Sequence, residues 1–185
     1  MDTKNLARGA FFLLLVFVAA FGGVWAGMKF RESRAPASSA VAASNLQPGA
    51  ELPDRAVVAP DGASHSTREL VAGGAVVMFL DLDCEPCGHM VTRWQEAIDE
   101  GELTGVDILG ITTDAGERVP GYRSDKGLSF PIYVDPAGAL FQDAEVTSVP
   151  LVVFVGPDGQ VTGNRSDYRL AIEGDAIRDL VAGTA

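Results

Sequence analysis

The only two cysteines of the chain lie where one pattern of apolar residues gives way to another. Residues 75–82, AVVMFLDL, form a mostly apolar, β-branched run of strand length. Residues 84–101 then change to helical spacing, which places Met90 and Trp94 on one face. Pro86 suits the first turn of such a helix because its missing N–H has no partner to lose there. The sequence therefore predicts a strand that runs directly into a helix, with a C-x-x-C pair at the junction.

The rest of the chain alternates strands and helices. We predict strands at 106–113, 130–134, 151–155 and 160–163, a helical stretch up to Gly127, a short helix through Phe141 and a closing helix at 173–183. The GPDG turn predicts that the last two strands form a hairpin. This order indicates the α/β class, with helices covering both faces of one sheet.

The position of the cysteine pair favours redox chemistry. The first turn of a helix has unpaired N–H groups and the positive end of the dipole, so a thiolate there is stabilised. Cys84 is nearer the open end and is the predicted attacking nucleophile. Cys87 is one turn deeper and is predicted to resolve the mixed disulfide.

Two other uses of the pair remain open from the residues alone. Zinc needs four ligands, and besides the cysteines the chain offers only His65 and His89, without the spacing of a histidine pair. Two inert buried cysteines are the other alternative, although that hypothesis does not account for their place at the junction. A c-type haem is excluded because Gly88 follows the second cysteine where a histidine is needed.

The N-terminal part predicts a membrane anchor. Residues 9–28 carry no charge over 20 residues, and a helix of that length spans roughly 30 Å, the thickness of a bilayer's hydrocarbon core. We predict an anchor with its flanks at 1–34, a flexible Ala-, Ser- and Pro-rich tether at 35–49 and a folded domain at 50–185. Cleavage after Ala26 is the alternative. Cations lie on both sides of the anchor and do not fix its orientation.

The part of the chain after the anchor is strongly acidic. From Ala35 onward it carries 9 Lys or Arg residues and 23 Asp or Glu residues. Such a surface repels nucleic acid and anionic lipid headgroups, so neither is an expected partner.

Three stretches of the chain resemble a known family. They are PGAELPDRAVVAPDGASHSTREL at 48–70, the strand that ends in C-E-P-C, and GLSFPIYVDPAGALFQDAEVTSVPLVVFVGPDGQV at 127–161. Together with the anchor and the tether, they are similar to the TlpA/ResA group of thioredoxin-like proteins. The resemblance covers most of the chain after the tether.

The resemblance implies a thioredoxin-like fold, with a central mixed sheet flanked by helices, behind an N-terminal transmembrane helix. It implies a single-pass membrane protein whose domain is an extracytoplasmic, periplasmic-side thiol–disulfide oxidoreductase of the cytochrome c maturation type. The implied partners are a protein substrate with a disulfide or dithiol and a membrane redox donor, without a cofactor or a metal. It also implies that Pro150 is cis and faces the cysteines, while the backbone of Val149 binds the substrate chain. The residues alone also allow Pro150 to open an edge strand.

The surroundings of the pair depart from the family. Asp83 stands where Trp usually precedes the first cysteine, Met78 stands where an Asp or Asn is common, and Leu151 follows the proline in place of Thr. A proton acceptor for the second cysteine is therefore not assured from its usual place.

Acidic residues around the first cysteine predict its redox behaviour. Asp81, Asp83 and Glu85 flank it in sequence, and negative charge close to a thiolate opposes its formation. Glu85 and Pro86, between the cysteines, are further candidates for tuning the potential. We therefore expect a reductant, with the alternative that these acids only cap the helix and point to solvent.

Other functions of the same fold remain as alternatives. An accessory factor for maturing one redox enzyme, as in methylamine dehydrogenase assembly, has the same anchor and C-x-x-C. A thiol peroxidase is less favoured, because peroxiredoxins have Pro and Thr seven and three residues before their cysteine, where Val77 and Asp81 stand here. Copper chaperones of this fold use C-x-x-x-C and a later histidine, and no histidine follows residue 89. A non-catalytic binding module would need an inert pair.

Overall fold

The computed structural model describes residues 44–166. The predicted anchor at 9–28 and the predicted closing helix at 173–183 lie outside these residues. None of the helices between residues 44 and 166 has the length and apolar character needed to span a bilayer.

The described part is an alternation of short strands and helices. The strands are β1 (Ala56–Val58), β2 (Ser64–Ser66), β3 (Ala75–Phe79), β4 (Asp107–Thr112), β5 (Ile132–Val134), β6 (Leu151–Val155) and β7 (Val161–Arg165). The helices are α1 (Thr67–Leu70), α2 (Glu85–Asp99), α3 (Val119–Lys126), which follows a 3₁₀ turn at Gly116–Arg118, and α4 (Ala139–Asp143).

The seven strands form one mixed sheet in the order β2-β1-β5-β4-β3-β6-β7. β3 is central: it runs parallel to β4, with Met78 opposite Gly110, and antiparallel to β6, with Phe79 opposite Leu151. All five residues of β3 are buried, as expected for a strand covered on both faces.

Alternate residues of β3 enter different cores on the two faces of the sheet. Val76 and Met78 pack in one core with Met90 and Trp94 of α2. Val77 and Phe79 pack in the other, with Leu140 of α4 and Phe141 at its edge. The predicted α/β sheet with both faces covered is therefore confirmed.

The boundary between the predicted tether and the domain lies earlier than residue 50. Leu46 is 1% exposed and belongs to the core that contains α4. The Asn45 N–H donates to the carbonyl of Ala144 at 3.0 Å, and the Gly49 N–H donates to that of Val161 at 2.8 Å. A single leucine in an Ala- and Ser-rich stretch has no periodicity, so composition alone assigned it to the tether.

Several predicted elements differ from the structure at their ends, and the short elements before β3, which are β1, β2 and α1, were not predicted. The predicted strand at 75–82 ends at Phe79, because the Asp81 carboxylate and carbonyl accept from the N–H groups of Asp83 and Cys84 and turn the chain. The segment before it contains the hairpin of β1 and β2, for which no strands were predicted. Three-residue strands are too short to show a period.

Candidate active site

The two cysteines are joined by a disulfide at the start of α2. Cys84 is the N-cap of the helix, and its Sγ accepts from the Cys87 N–H at 3.2 Å. Cys84 is partly exposed, whereas Cys87 is fully buried, and Pro86 lies in the first turn as predicted. The sulfur that a substrate can reach therefore belongs to Cys84, and the second sulfur lies beneath it.

The Val149–Pro150 peptide bond is cis, as the resemblance implied. β6 begins at Leu151, and its pairing with Phe79 places the start of β6 beside the end of β3. β3 leads within five residues to Cys84, so the proline and the cysteine turn lie at the same edge of the sheet. Val149 is half-buried and touches the cores on both faces.

Asp83, directly before Cys84, forms an ion pair with Arg118. Both Arg118 Nη atoms donate to the Asp83 carboxylate, one at 3.1 Å, and Nη1 also donates to Asp114 at 2.8 Å. The hydrogen bonds and charge of Arg118 hold the pKa of Asp83 below its usual value, while Asp83 raises the pKa of Arg118. One of the two negative charges directly adjacent to Cys84 in sequence is therefore compensated, which the sequence-based expectation about the acids did not include.

Asp114 links the cysteine turn to the end of β4 by hydrogen bonds. Its Oδ2 accepts from the Leu82 N–H at 2.9 Å and from the Thr112 hydroxyl at 2.8 Å, while Oδ1 accepts from Arg118. The Asp114 side chain is 15% exposed. Sequence analysis missed both Asp114 and Arg118, since both lie more than 25 residues from the cysteines and carry no motif.

One group of side chains could hold a cation by its oxygens. Asp81, Asp83 and Asp114 place one carboxylate oxygen each within 4.8 Å of one another. The guanidinium of Arg118 already binds two of the three carboxylates, so a metal ion would have to displace it. We assign no metal to this group.

Two polar side chains of α3 approach the first turn of α2 at Gly88. A Cβ built on Gly88 would lie 3.2 Å from Lys126 Nζ and 3.9 Å from the Tyr122 hydroxyl. Burial, and then the charges of Asp114 and Asp81, raise the pKa of Tyr122. Met78, at the place where the resemblance implied an Asp or Asn, is fully buried in the apolar core.

The described chain is similar to redox proteins of one family. The model of the AhpC/TSA family matches residues 48–163. The thiol-disulfide oxidoreductase ResA of Halalkalibacterium halodurans is 24% identical over 102 residues, 55% of this chain and 58% of that protein. The chain spans less than two thirds of the curated relatives that it matches.

Two solved structures show the same fold. A secreted disulfide oxidoreductase of Mycobacterium tuberculosis, homologous to DsbE of E. coli, has a TM-score of 0.56 and 22% identity over 69% of this chain and 94% of its own. Peroxiredoxin Q of Xanthomonas campestris has a TM-score of 0.61 and 20% identity over 77% and 99%. The fold is therefore thioredoxin-like, and it is common to disulfide exchange and to peroxide reduction.

Proposed function

Since the chain belongs to the AhpC/TSA family, we propose that it is a thiol–disulfide oxidoreductase that exchanges the Cys84–Cys87 couple with disulfides of other proteins. The observation that carries this proposal is the disulfide between a partly exposed N-cap cysteine and a buried cysteine one turn on. The similarity to ResA supports the same activity.

The geometry supports a two-step exchange. In the reduced protein, the Cys84 thiolate attacks one sulfur of a substrate disulfide, forms a mixed disulfide and expels the other substrate sulfur as a thiolate. Cys87 then releases its proton to solvent and attacks Cys84 Sγ, which expels the second substrate sulfur as a thiolate and closes the internal disulfide. Two electrons pass to the substrate, and each of its thiolates takes up a proton from solvent. The backbone of Val149, before cis Pro150, would hold the substrate chain at the same edge of the sheet.

The proposed direction is reduction of the substrate. Asp81 and Glu85 remain exposed near Cys84 in sequence, and their charges oppose a thiolate even though Asp83 is paired with Arg118. We place the domain outside the cytoplasm, attached by residues 1–34 to the membrane, with electrons supplied by a membrane redox donor. A function of the cytochrome c maturation type fits this arrangement.

A trap for the mixed disulfide tests the proposed exchange. Cys87→Ser leaves the first step intact and removes the second, so the variant should remain covalently linked to its substrate. The matched control is Cys84→Ser, which should trap nothing. If both variants trap the same proteins, or neither traps any, Cys84 is not the attacking group. The trapped proteins also distinguish substrates of several kinds from the single precursor that a methylamine dehydrogenase type of accessory factor would serve.

Thiol peroxidase activity is the second candidate, favoured by the likeness to peroxiredoxin Q. The residues seven and three places before Cys84 are Val77, which is buried in the core, and Asp81, whose carboxylate accepts from Asp83. A carboxylate there would repel the anion that develops as a peroxide is cleaved. We expect the reduced protein to be oxidised by a protein disulfide at least ten times faster than by hydrogen peroxide at equal concentration. Faster oxidation by hydrogen peroxide than by the protein disulfide would favour peroxide reduction as the function.

A further inference from the structure

Lys126 is the only lysine between residues 44 and 166, and it lies against the helix turn that carries the disulfide. None of the ion pairs formed within those residues includes Lys126, and its side chain is half-buried. By contrast, Arg118, which pairs with Asp83 directly before Cys84, is bound by two carboxylates. Within residues 44–166, the Lys126 ammonium is thus a cation beside this turn that has no ion-pair partner.

The geometry of a helix places this cation on the side of Cys84. Residues four apart lie on the same helix face, and Gly88 is four residues after Cys84. A Cα–Cβ bond tilts towards the helix N-terminus, so the direction in which Gly88 would carry a Cβ leads back towards Cys84. Lys126 Nζ lies 3.2 Å from that point, a space left open because residue 88 is glycine. The Gly88 N–H closes the same turn by donating to the Cys84 carbonyl at 3.0 Å.

A second polar group without a partner meets the same turn. The Tyr122 hydroxyl is buried and has no hydrogen-bond partner within residues 44–166. It lies 3.9 Å from the same Gly88 position. A buried polar atom left unpaired costs about 1–3 kcal/mol, so an unpaired hydroxyl beside a redox-active cysteine pair requires an explanation.

Reduction of the disulfide would create an anionic sulfur beside this turn. Two electrons and one proton convert the disulfide into one thiolate and one thiol, with the electrons supplied by a thiol donor that is itself oxidised. The structure holds the disulfide, in which neither sulfur carries a charge. A thiolate on Cys84 would place an anion on the helix face that Lys126 and Tyr122 approach.

We propose that Lys126, assisted by the Tyr122 hydroxyl, stabilises the Cys84 thiolate and so shifts the couple towards its reduced form. This proposal rests on the proposed exchange function. It assigns the electrostatic tuning of the cysteines to Lys126 and Tyr122, because Met78 stands where the resemblance implied an Asp or Asn. The cation offsets the acids that flank Cys84 and keeps the nucleophile reactive in a protein that acts as a reductant.

Redox equilibration of the full-length protein with dithiothreitol buffers tests the proposal. Lys126→Gln should raise the Cys84 thiol pKa and lower the equilibrium constant for reduction of the disulfide about three- to tenfold. This corresponds to a reduction potential that is more negative by about 15–30 mV. Lys126→Arg, which keeps the charge, should stay within twofold of the unmodified protein. Arg93→Gln, which removes an exposed cation from the far part of α2, is the matched control and should change nothing.

Two further variants keep every charge. Gly88→Ala should push the ammonium away and shift the constant in the same direction as Lys126→Gln, although less far. Tyr122→Phe removes only the hydroxyl and should also lower the constant. The proposal is overturned if Lys126→Gln stays within 1.5-fold of the unmodified protein, or if Arg93→Gln shifts the constant equally. If the unmodified protein shows no reversible couple at all, the proposed function fails instead.

Discussion

Replacing Asp114 tests how the cysteine turn is attached to the sheet. Asp114→Ala leaves the Leu82 N–H without its acceptor, and Leu82 is only 8% exposed. An unpaired buried N–H costs about 1–3 kcal/mol, and the buried Thr112 hydroxyl loses an acceptor worth about 1 kcal/mol. The exposed ion pair with Arg118 adds little. We expect the free energy of unfolding to fall by about 3 kcal/mol, a large fraction of the 5–15 kcal/mol of a typical domain.

Urea unfolding followed by tryptophan fluorescence measures this loss, since Trp94 belongs to the same core as Leu82 and Cys87. With a slope of about 2 kcal/mol per molar urea, the midpoint should fall by about 1.5 M. Asp114→Asn keeps one oxygen acceptor and should lose about half as much. Asp125→Ala, which removes an exposed carboxylate from α3, is the control. A fall of less than about 0.3 M in Asp114→Ala, or an equal fall in Asp125→Ala, would show that Asp114 does not stabilise the cysteine turn in this way.

Three further outcomes follow from the structure. Cys87→Ser should accumulate mixed disulfides visible on non-reducing gels and should fail to turn over. Arg118 lowers the pKa of Asp83, so the stability that this pair contributes is present above the ordinary Asp value of about 4 and is lost as pH falls through the lowered value. Arg118→Gln should therefore lower the urea midpoint at pH 7 and lower it less at pH 2.5. Asp135 is 1% exposed and accepts from three N–H groups of α4, so Asp135→Ala should lower the free energy of unfolding by about 2 kcal/mol in the same assay.

The central part of the fold was predictable because its signals are local. β3 is a continuous apolar run, α2 has one apolar face, and β6 was predicted at its observed bounds because GPDG ends it. The three-residue spacing and the place at the junction favoured a redox pair, although the residues alone left a zinc site and an inert pair as alternatives. The cis bond before Pro150 came from resemblance, since no pattern of residues around it indicates the isomer.

The electrostatics of the site were not predictable, because they depend on contacts between distant parts of the chain. From the sequence, Asp83 is expected to oppose a thiolate. In the structure, the turn after β4 brings Arg118, 35 residues away in sequence, to the Asp83 carboxylate. From the sequence, Lys126 is a polar residue near the end of a predicted helix. The structure places its ammonium next to Gly88, in the turn that carries the disulfide. The acids lie close to the cysteines in sequence, whereas the cations approach them only in the folded protein.

The redox equilibrium of the Cys84–Cys87 couple tests the central claim most directly. The full-length protein would be equilibrated with dithiothreitol buffers and the thiol fraction measured by alkylation. We predict a reversible two-electron transition at a potential near that of thioredoxin, about −270 mV. A reduction potential near about −120 mV would contradict the proposed role as a reductant. A disulfide that is not reversibly reduced would contradict the exchange reaction itself.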